Sequence, residues 1–342
     1  MWCRLSGHFS PFVLDKPIWV CHSLSMKTTL MTIAKQIKSE AEAYAYMESM
    51  RWPDGPICPH CGSVEKHYFL TPKSGTARKT RTGSETQRRV WKCSTCRKQF
   101  SVTTGTVFHG SKVPLQTWLM VVYEMCANKN GIAAREIARK YGVAPKTAWF
   151  MTQRLREAMK RKAPGSLISG TVVIDETLIG GEPKNRHGYE RGVGRQGYSE
   201  KTPIVTLVDK GTGEVRSQVV ADVSGKTLRS VIAANCEMEQ TTMHTDSWRA
   251  YKGIAPEMAG HEAVNHSEGE YVRGNVSTNA CENFFSQLKR SIDGTHHHVS
   301  REHLGRYLSE FDFRYSTRKL SDSDRMARLF GQVHGRRLVY GG

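Results

Sequence analysis

The sequence predicts a multidomain α+β protein, with a zinc ribbon and a helix-turn-helix ahead of a larger α/β or α+β domain. Three observations lead there. The chain has 342 residues, and at one domain per about 150 residues that length accommodates two or three folded units. Between two helical stretches lies a segment, 54–105, that is rich in turn formers, charge and cysteine. Beyond Ala163-Pro164-Gly165, a linker signal, the texture changes to β-branched strands followed by helices that must share one core.

Taken in chain order, residues 1–26 read as an upstream extension. Arg4, Asp15 and Lys16 interrupt their apolar character, no small-residue cleavage site follows, and Met26-Lys27 opens a helical run. Residues 27–53 predict an N-terminal helix that stops at Trp52-Pro53. Residues 113–162 are helical again, in segments broken at Lys129-Asn130-Gly131 and at Gly142. Within 166–320 the expected strands are Gly170–Ile174, Ile204–Val208, Val215–Ala221 and Thr241–Thr245, with a hairpin turn at Asp209–Gly213. A helix at Gly225–Cys236 and a helical C-terminal third complete that domain. Lys184–Lys201, rich in Gly, Arg and Tyr, reads as an exposed loop, and 321–342 as a C-terminal tail.

Composition narrows the function. Hydrophobic residues make up 38% and aromatic residues 9%, enough for real cores, which excludes wholesale disorder. No stretch approaches the ~18 uninterrupted apolar residues needed to cross a bilayer, so no membrane partner is expected. A formal net charge of +18 points to a polyanion, and without an export signal the expected partner is intracellular nucleic acid. The expected location is the cytoplasm, in association with the nucleoid.

Cys58-Pro59-His60-Cys61 and Cys93-Ser94-Thr95-Cys96 have the form of two zinc knuckles. Each Cys-x-x-Cys turn presents two sulfurs to one ion, and four thiolates complete a closed tetrahedral shell, so one structural Zn²⁺ is expected on Cys58, Cys61, Cys93 and Cys96. The 31 residues between the pairs exceed a compact ribbon's ~15–20, and the excess is the hydrophilic stretch Lys73–Arg89, a hairpin tip. Residues 72–98 hold nine Lys/Arg and one Glu, so this surface, with Arg88 and Arg89, is expected to contact phosphates. The other five cysteines read as small buried hydrophobes.

Gly131 through Trp149 has the plan of a helix, a Gly-containing turn and a second helix. Ile137, Ala138, Tyr141, Val143, Trp149 and Leu155 would line its inner face. Lys146, Thr147, Phe150 and Arg154 would face outward, where a recognition helix meets base edges.

Three carboxylates carry the chemistry. Val172-Val173-Ile174-Asp175-Glu176 and His244-Thr245-Asp246-Ser247 each end an apolar strand on an acid, which is costly to desolvate unless a cation is near. Glu282 lies on a helix opening at Thr278 or Asn279, and Lys289, two turns on, shares its face. Three such acids can hold two Mg²⁺ (or Mn²⁺) ions about 3.5–4 Å apart for phosphodiester chemistry.

The runs Asp175–Gly181, Thr245–Tyr251, Asn279–Arg290, Gly294–Ser300 and Tyr307–Tyr315 resemble bacterial insertion-sequence transposases of the acidic-triad (DDE) type. The resemblance is closest to the group with an N-terminal zinc ribbon that is related to eukaryotic Merlin elements, and it covers roughly residues 40–320. It implies an RNase-H-like fold for the 166–320 domain and a triad beginning with Asp175 and Asp246. Glu282 is the third member, with Asn283 the alternative because some members of the group use Asn there. It further implies that Lys289 contacts DNA near the scissile phosphate. Strand alternation turns Glu176 to the opposite face, as a supporting residue, and the His296–His298 turn stacks on or hydrogen-bonds DNA. The expected function is a transposase that binds terminal inverted repeats, cleaves with Mg²⁺ and transfers the strand, as a homo-oligomer assembled on DNA. The rival readings are a non-catalytic DNA-binding regulator or domesticated transposase, and an RNase-H-like nuclease without strand transfer.

Overall fold

The computed structural model of the protein describes residues 29–73, 75, 77–79, 83, 85–161, 166–180 and 201–338. The 1–26 extension, the Ala163-Pro164-Gly165 linker and the expected loop up to Glu200 lie outside the described residues.

The N-terminal run forms two helices rather than one, α1 (Leu30–Gln36) and α2 (Glu40–Arg51). The break is a capping box. Ser39 Oγ accepts from the Glu42 N–H at 3.2 Å, and the Glu42 carboxylate accepts from the Ser39 N–H at 2.8 Å. The cysteine-rich segment follows as a three-stranded antiparallel sheet in the order β1 (His67–Phe69), β4 (Trp91–Cys93), β5 (Gln99–Phe100). A separate hairpin, β2 (Arg78–Lys79) with β3 (Glu85–Thr86), forms within the basic stretch.

Next come α3 (Leu115–Ala127), α4 (Ala134–Tyr141) and α5 (Pro145–Met159). Gly142 ends α4 in the left-handed region at φ 62°, and Pro145, whose ring fixes φ, opens α5. One core joins Met47, Phe100, Trp118, Met125, Ile137, Met151 and Leu155. The stretch expected as a C-terminal tail enters the same core. Ser321 caps α9 (Asp322–Gln332), whose Met326, Leu329 and Phe330 are buried, as is Val333 just beyond it. Their i, i+3, i+4, i+7 spacing marks a helical face, which is why this segment packs.

The larger domain is built on a five-stranded mixed sheet in the order β8 (Val215–Val219), β7 (Thr202–Asp209), β6 (Ile168–Ile179), β9 (Cys236–Asp246), β10 (Gly260–Val264). β6, β7 and β8 are antiparallel neighbours, while β9 runs parallel to β6 and β10 parallel to β9. Alternation sends Val172 and Ile174 to one face, with Leu228, Val231 and Ile232 of α6 (Gly225–Asn235). It sends Val173 to the other, under α7 (Asn279–Ser291) and α8 (Arg301–Ser316). A short hairpin, β11 (Val272–Arg273) with β12 (Val276–Ser277), precedes α7.

Buried charges tie α5 to α8. Glu310 Oε2 accepts from Arg156 Nε at 2.7 Å and Glu310 Oε1 from Arg314 Nη2 at 2.8 Å, all three residues being buried. Arg314 also donates to the Asn128 carbonyl beyond α3, and the Arg156 guanidinium lies 3.7 Å over the Tyr307 ring. Among the described residues, no helix is long and apolar enough to cross a membrane.

Candidate metal centre and active site

The four ribbon cysteines converge. Their sulfurs lie within 4.8 Å of one another, with Cys58 to Cys96 and Cys61 to Cys93 both at 3.7 Å. The two knuckles are built alike. The Cys58 N–H donates to the Ser63 carbonyl and the Cys93 N–H to the Lys98 carbonyl, each at 3.0 Å. The residue after each second cysteine is left-handed, Gly62 at φ 73° and Arg97 at φ 61°. Burial alone would raise the Cys93 thiol, but the Cys96 backbone N–H, 3.4 Å from its sulfur, helps bring it down to about 6. Four soft donors at tetrahedral spacing fit zinc. His60 is not a fifth donor, since its Nε2 lies 3.2 Å from the Gln99 carbonyl.

The basic residues singled out in the sequence are partly spent inside the protein. Arg88 donates to Ser101 Oγ at 3.2 and 2.8 Å. Arg89 pairs with Glu48 at 2.8 Å and lies 4.7 Å over the Phe69 ring, docking the ribbon on α2. Arg154 does not face outward as expected: it is buried, stacks on Phe150 at 4.5 Å and donates to the His109 carbonyl at 3.3 Å. α5 is buried at every position from Met151 to Arg156; ahead of that stretch Lys146 is exposed and Thr147, Trp149 and Phe150 are half-buried.

The carboxylates meet at one edge of the large sheet. β6 is longer than expected because its pairing with β7 continues from Asp175 opposite Thr206 to Ile179 opposite Thr202. Its pairing with β9 stops earlier, at Val173 opposite His244. Two residues further along each of these parallel strands stand Asp175 and Asp246, in register at the carboxyl edge where the strands part. The first turn of α7 lies over this point. Cys281 is buried there, with its thiol 3.5 Å from the Val173 carbonyl and 3.7 Å from the Thr206 carbonyl, and Glu282 follows it.

The electrostatics record that convergence. Burial, reinforced by the negative charges of Glu176, Asp246 and Glu282, pushes the Asp175 carboxyl up to about 7. Asp246 accepts from the Trp248 N–H at 3.0 Å, and Glu282 accepts from Thr278 Oγ1 at 2.9 Å, with His266 Nε2 at 3.9 Å. Glu176 points to the α6 face, where the buried Tyr251 hydroxyl donates to it, and burial pushes its carboxyl up to about 7 as well. Tyr251 and His266 were not singled out from sequence, although Tyr251 closes the run that begins at Thr245. Lys289 and Asn283 are exposed on α7. Among the described residues, the cysteines are the group of three or more metal-type donors within 4.8 Å, so the acids are more widely spaced.

His296 departs from expectation. It packs edge-on against Tyr307, with ring centroids 4.9 Å apart, and burial holds its imidazole down at about 4. It is half-buried, and in its turn His297 and His298 are the exposed side chains.

A closed four-cysteine knuckle pair joined to a mixed sheet with clustered acids defines a zinc-ribbon protein with a second, acidic centre. Residues 38–99 match the transposase zinc-ribbon domain and residues 167–316 the ISXO2-like transposase domain. A protein of Halobacterium salinarum described as an uncharacterized protein in transposable element ISH50 is 31% identical over 289 residues, covering 82% of this chain and 92% of that relative. The chain belongs to this family of insertion-sequence DDE transposases with an N-terminal zinc ribbon.

Proposed function

We propose that the protein binds the terminal inverted repeats of its element, cleaves the DNA strand there and joins the freed 3′-hydroxyl to target DNA. The observation that carries this reading is the in-register pair Asp175 and Asp246, with Glu282 held above it by the first turn of α7. The sheet order supports an RNase-H-like domain: three antiparallel strands with a fourth and fifth added parallel beside the first. α4 and α5, joined by the Gly142 turn, are read as a helix-turn-helix, with Lys146 and Thr147 at the opening turn of the second helix as the base-reading pair.

Asp175, Asp246 and Glu282 are the hard, anionic donors that suit divalent ions, and the negative charges that act on half-buried Asp175 favour a cation among them. Two Mg²⁺ (or Mn²⁺) ions bound there would activate the attacking oxygen and stabilise the leaving one, a span that does not require all three acids within 4.8 Å. Thr278 fixes the Glu282 rotamer, and the Trp248 N–H fixes Asp246. Tyr251 holds Glu176 on the far face as a positioning residue. Glu282 rather than Asn283 is the third ligand, because its charge acts on Asp175 and an amide brings none. Lys289, two turns along the same exposed stripe, would meet the phosphate beside the cut. In the ribbon, Cys58, Cys61, Cys93 and Cys96 would hold one structural Zn²⁺. We further assign double-stranded DNA as partner, assembly as a homo-oligomer on the element ends, and a cytoplasmic, nucleoid-associated location.

The test is incubation of the purified protein with duplex DNA carrying its own element ends, in Mg²⁺. Cleavage and joined products are expected. Binding without cleavage would favour the regulator, and cleavage without joining would favour a nuclease.

A further inference from the structure

Outside the acidic centre, a group of cations lies where the ribbon, α5 and the 333–337 segment meet. The backbone first brings these parts together. Thr106 forms a bridge with His334, the Gly335 N–H donates to the Gly105 carbonyl at 2.9 Å, and Arg336 donates to the Glu157 carbonyl of α5 at 2.6 Å. The 333–337 segment is thereby laid across the 105–109 turn and the second half of α5.

Three guanidiniums and an imidazole follow from that placement. Arg88 reaches in from the ribbon, anchored on Ser101. Arg154 is only 8% exposed, and its Nε is buried with no hydrogen-bond partner. His109 Nδ1 is likewise buried without a partner. Arg337, exposed, stands at the end of the laid-down segment. Arg154 donates to the His109 carbonyl at 3.3 Å, and burial first, then the charges of Arg337, Arg88 and Arg154, push the His109 imidazole below its ordinary value. Among the described residues, no carboxylate comes within 4 Å of Arg88, Arg154 or Arg337.

An arrangement of this kind is unfavourable alone. Like charges repel, and a buried donor left without an acceptor is costly. An anion with several oxygens relieves both, and the planar guanidinium fork matches phosphate geometry. The chain's net charge of +18 and the adjoining basic loop make duplex DNA the complementary source of that phosphate.

We propose that Arg88, Arg154, His109 and Arg337 form a seat for one backbone phosphodiester of duplex DNA, with the 333–337 segment as one wall. The seat rests on the DNA-transposase reading. It gives the C-terminal segment a DNA-binding role and Arg154 a phosphate contact in place of a base contact.

Arg337→Ala tests it, because an exposed side chain can be removed without opening a core. Affinity for an element-end duplex and for a random duplex is measured by anisotropy from 50 to 200 mM salt. Each phosphate contact contributes about 0.9 to the slope of log affinity against log salt, so the variant's slope should be shallower by about 0.9 on both duplexes. That amounts to about 3.5-fold across this fourfold salt range. Arg337→Lys should keep the wild-type slope, and Arg88→Ala should lose about the same amount as Arg337→Ala. Zinc content and Tm report that each variant is folded. A wild-type slope in Arg337→Ala and Arg88→Ala overturns the seat while leaving the transposase reading intact. If inorganic phosphate titrated calorimetrically binds the wild type and not Arg337→Ala while the DNA slope is unchanged, the site takes free phosphate and the proposal is overturned. A wild type that binds no duplex overturns both readings.

Discussion

Replacing Glu310 with Gln removes the anion shared by Arg156 and Arg314 and leaves two buried guanidiniums facing a neutral amide. Burial alone would raise the Glu310 carboxyl, but the two guanidiniums overcome it and hold it at about 2, against an ordinary 4.5. At ~1.4 kcal/mol per pH unit, that gap amounts to roughly 3 kcal/mol. One-sided removal of a partner from a buried pair costs about 3–5 kcal/mol, so the two routes agree. The carboxyl is depressed in the folded state, so this contribution is complete above pH 4.5 and is lost as pH falls toward 2. Urea unfolding at pH 7 should therefore place Glu310→Gln roughly 3 kcal/mol below the wild type. The difference should close as both proteins are acidified from pH 4.5 toward 2. A variant within about 0.5 kcal/mol of the wild type at pH 7, below the cost expected for breaking a buried pair, would refute the reasoning. So would a difference that stays constant down to pH 2.

Two further outcomes follow from the ribbon and from α5. Cys93→Ser should abolish stoichiometric zinc and unfold the N-terminal region, since a structural zinc site contributes folding free energy directly; metal analysis with circular dichroism reads both. Lys146→Ala should weaken binding to the element ends by about 1–3 kcal/mol and leave random duplex little changed, and equal losses on both duplexes would remove it from base reading.

The parts of this molecule that were legible in its sequence are those set by local spacing. The two Cys-x-x-Cys pairs bring their four sulfurs together, and the β-branched runs around Val172 and Val205 form the central strands. The acids at Asp175, Asp246 and Glu282 stood out because charge at the end of an apolar strand or in the opening turn of a helix calls for a reason. The S-x-x-E box at Ser39 is a local signal too, and it splits in two the helix that composition over 27–53 predicts. The 321–342 stretch carries an apolar face that only the N-terminal core, remote in the chain, reveals as buried. Arg154 was misplaced for the same reason. Periodicity says which residues share a helix face, but not that neighbouring elements cover every side of α5 from Met151 to Arg156. Glu310 and its partner Arg156 are 154 residues apart, and no local pattern connects them.

The most direct measurement is strand cleavage and joining by Asp175→Asn, Asp246→Asn and Glu282→Gln on the element's own ends in Mg²⁺, with end binding measured in parallel. Each carboxylate supplies charge that an amide cannot replace. All three variants should bind ends like the wild type and neither cut nor join, with partial cleavage returning in Mn²⁺, while Asn283→Ala should retain activity. Normal cutting by Glu282→Gln together with a dead Asn283→Ala would move the third ligand by one residue. Normal cutting by all of them would contradict the account outright, because the chemistry would then lie elsewhere in the chain.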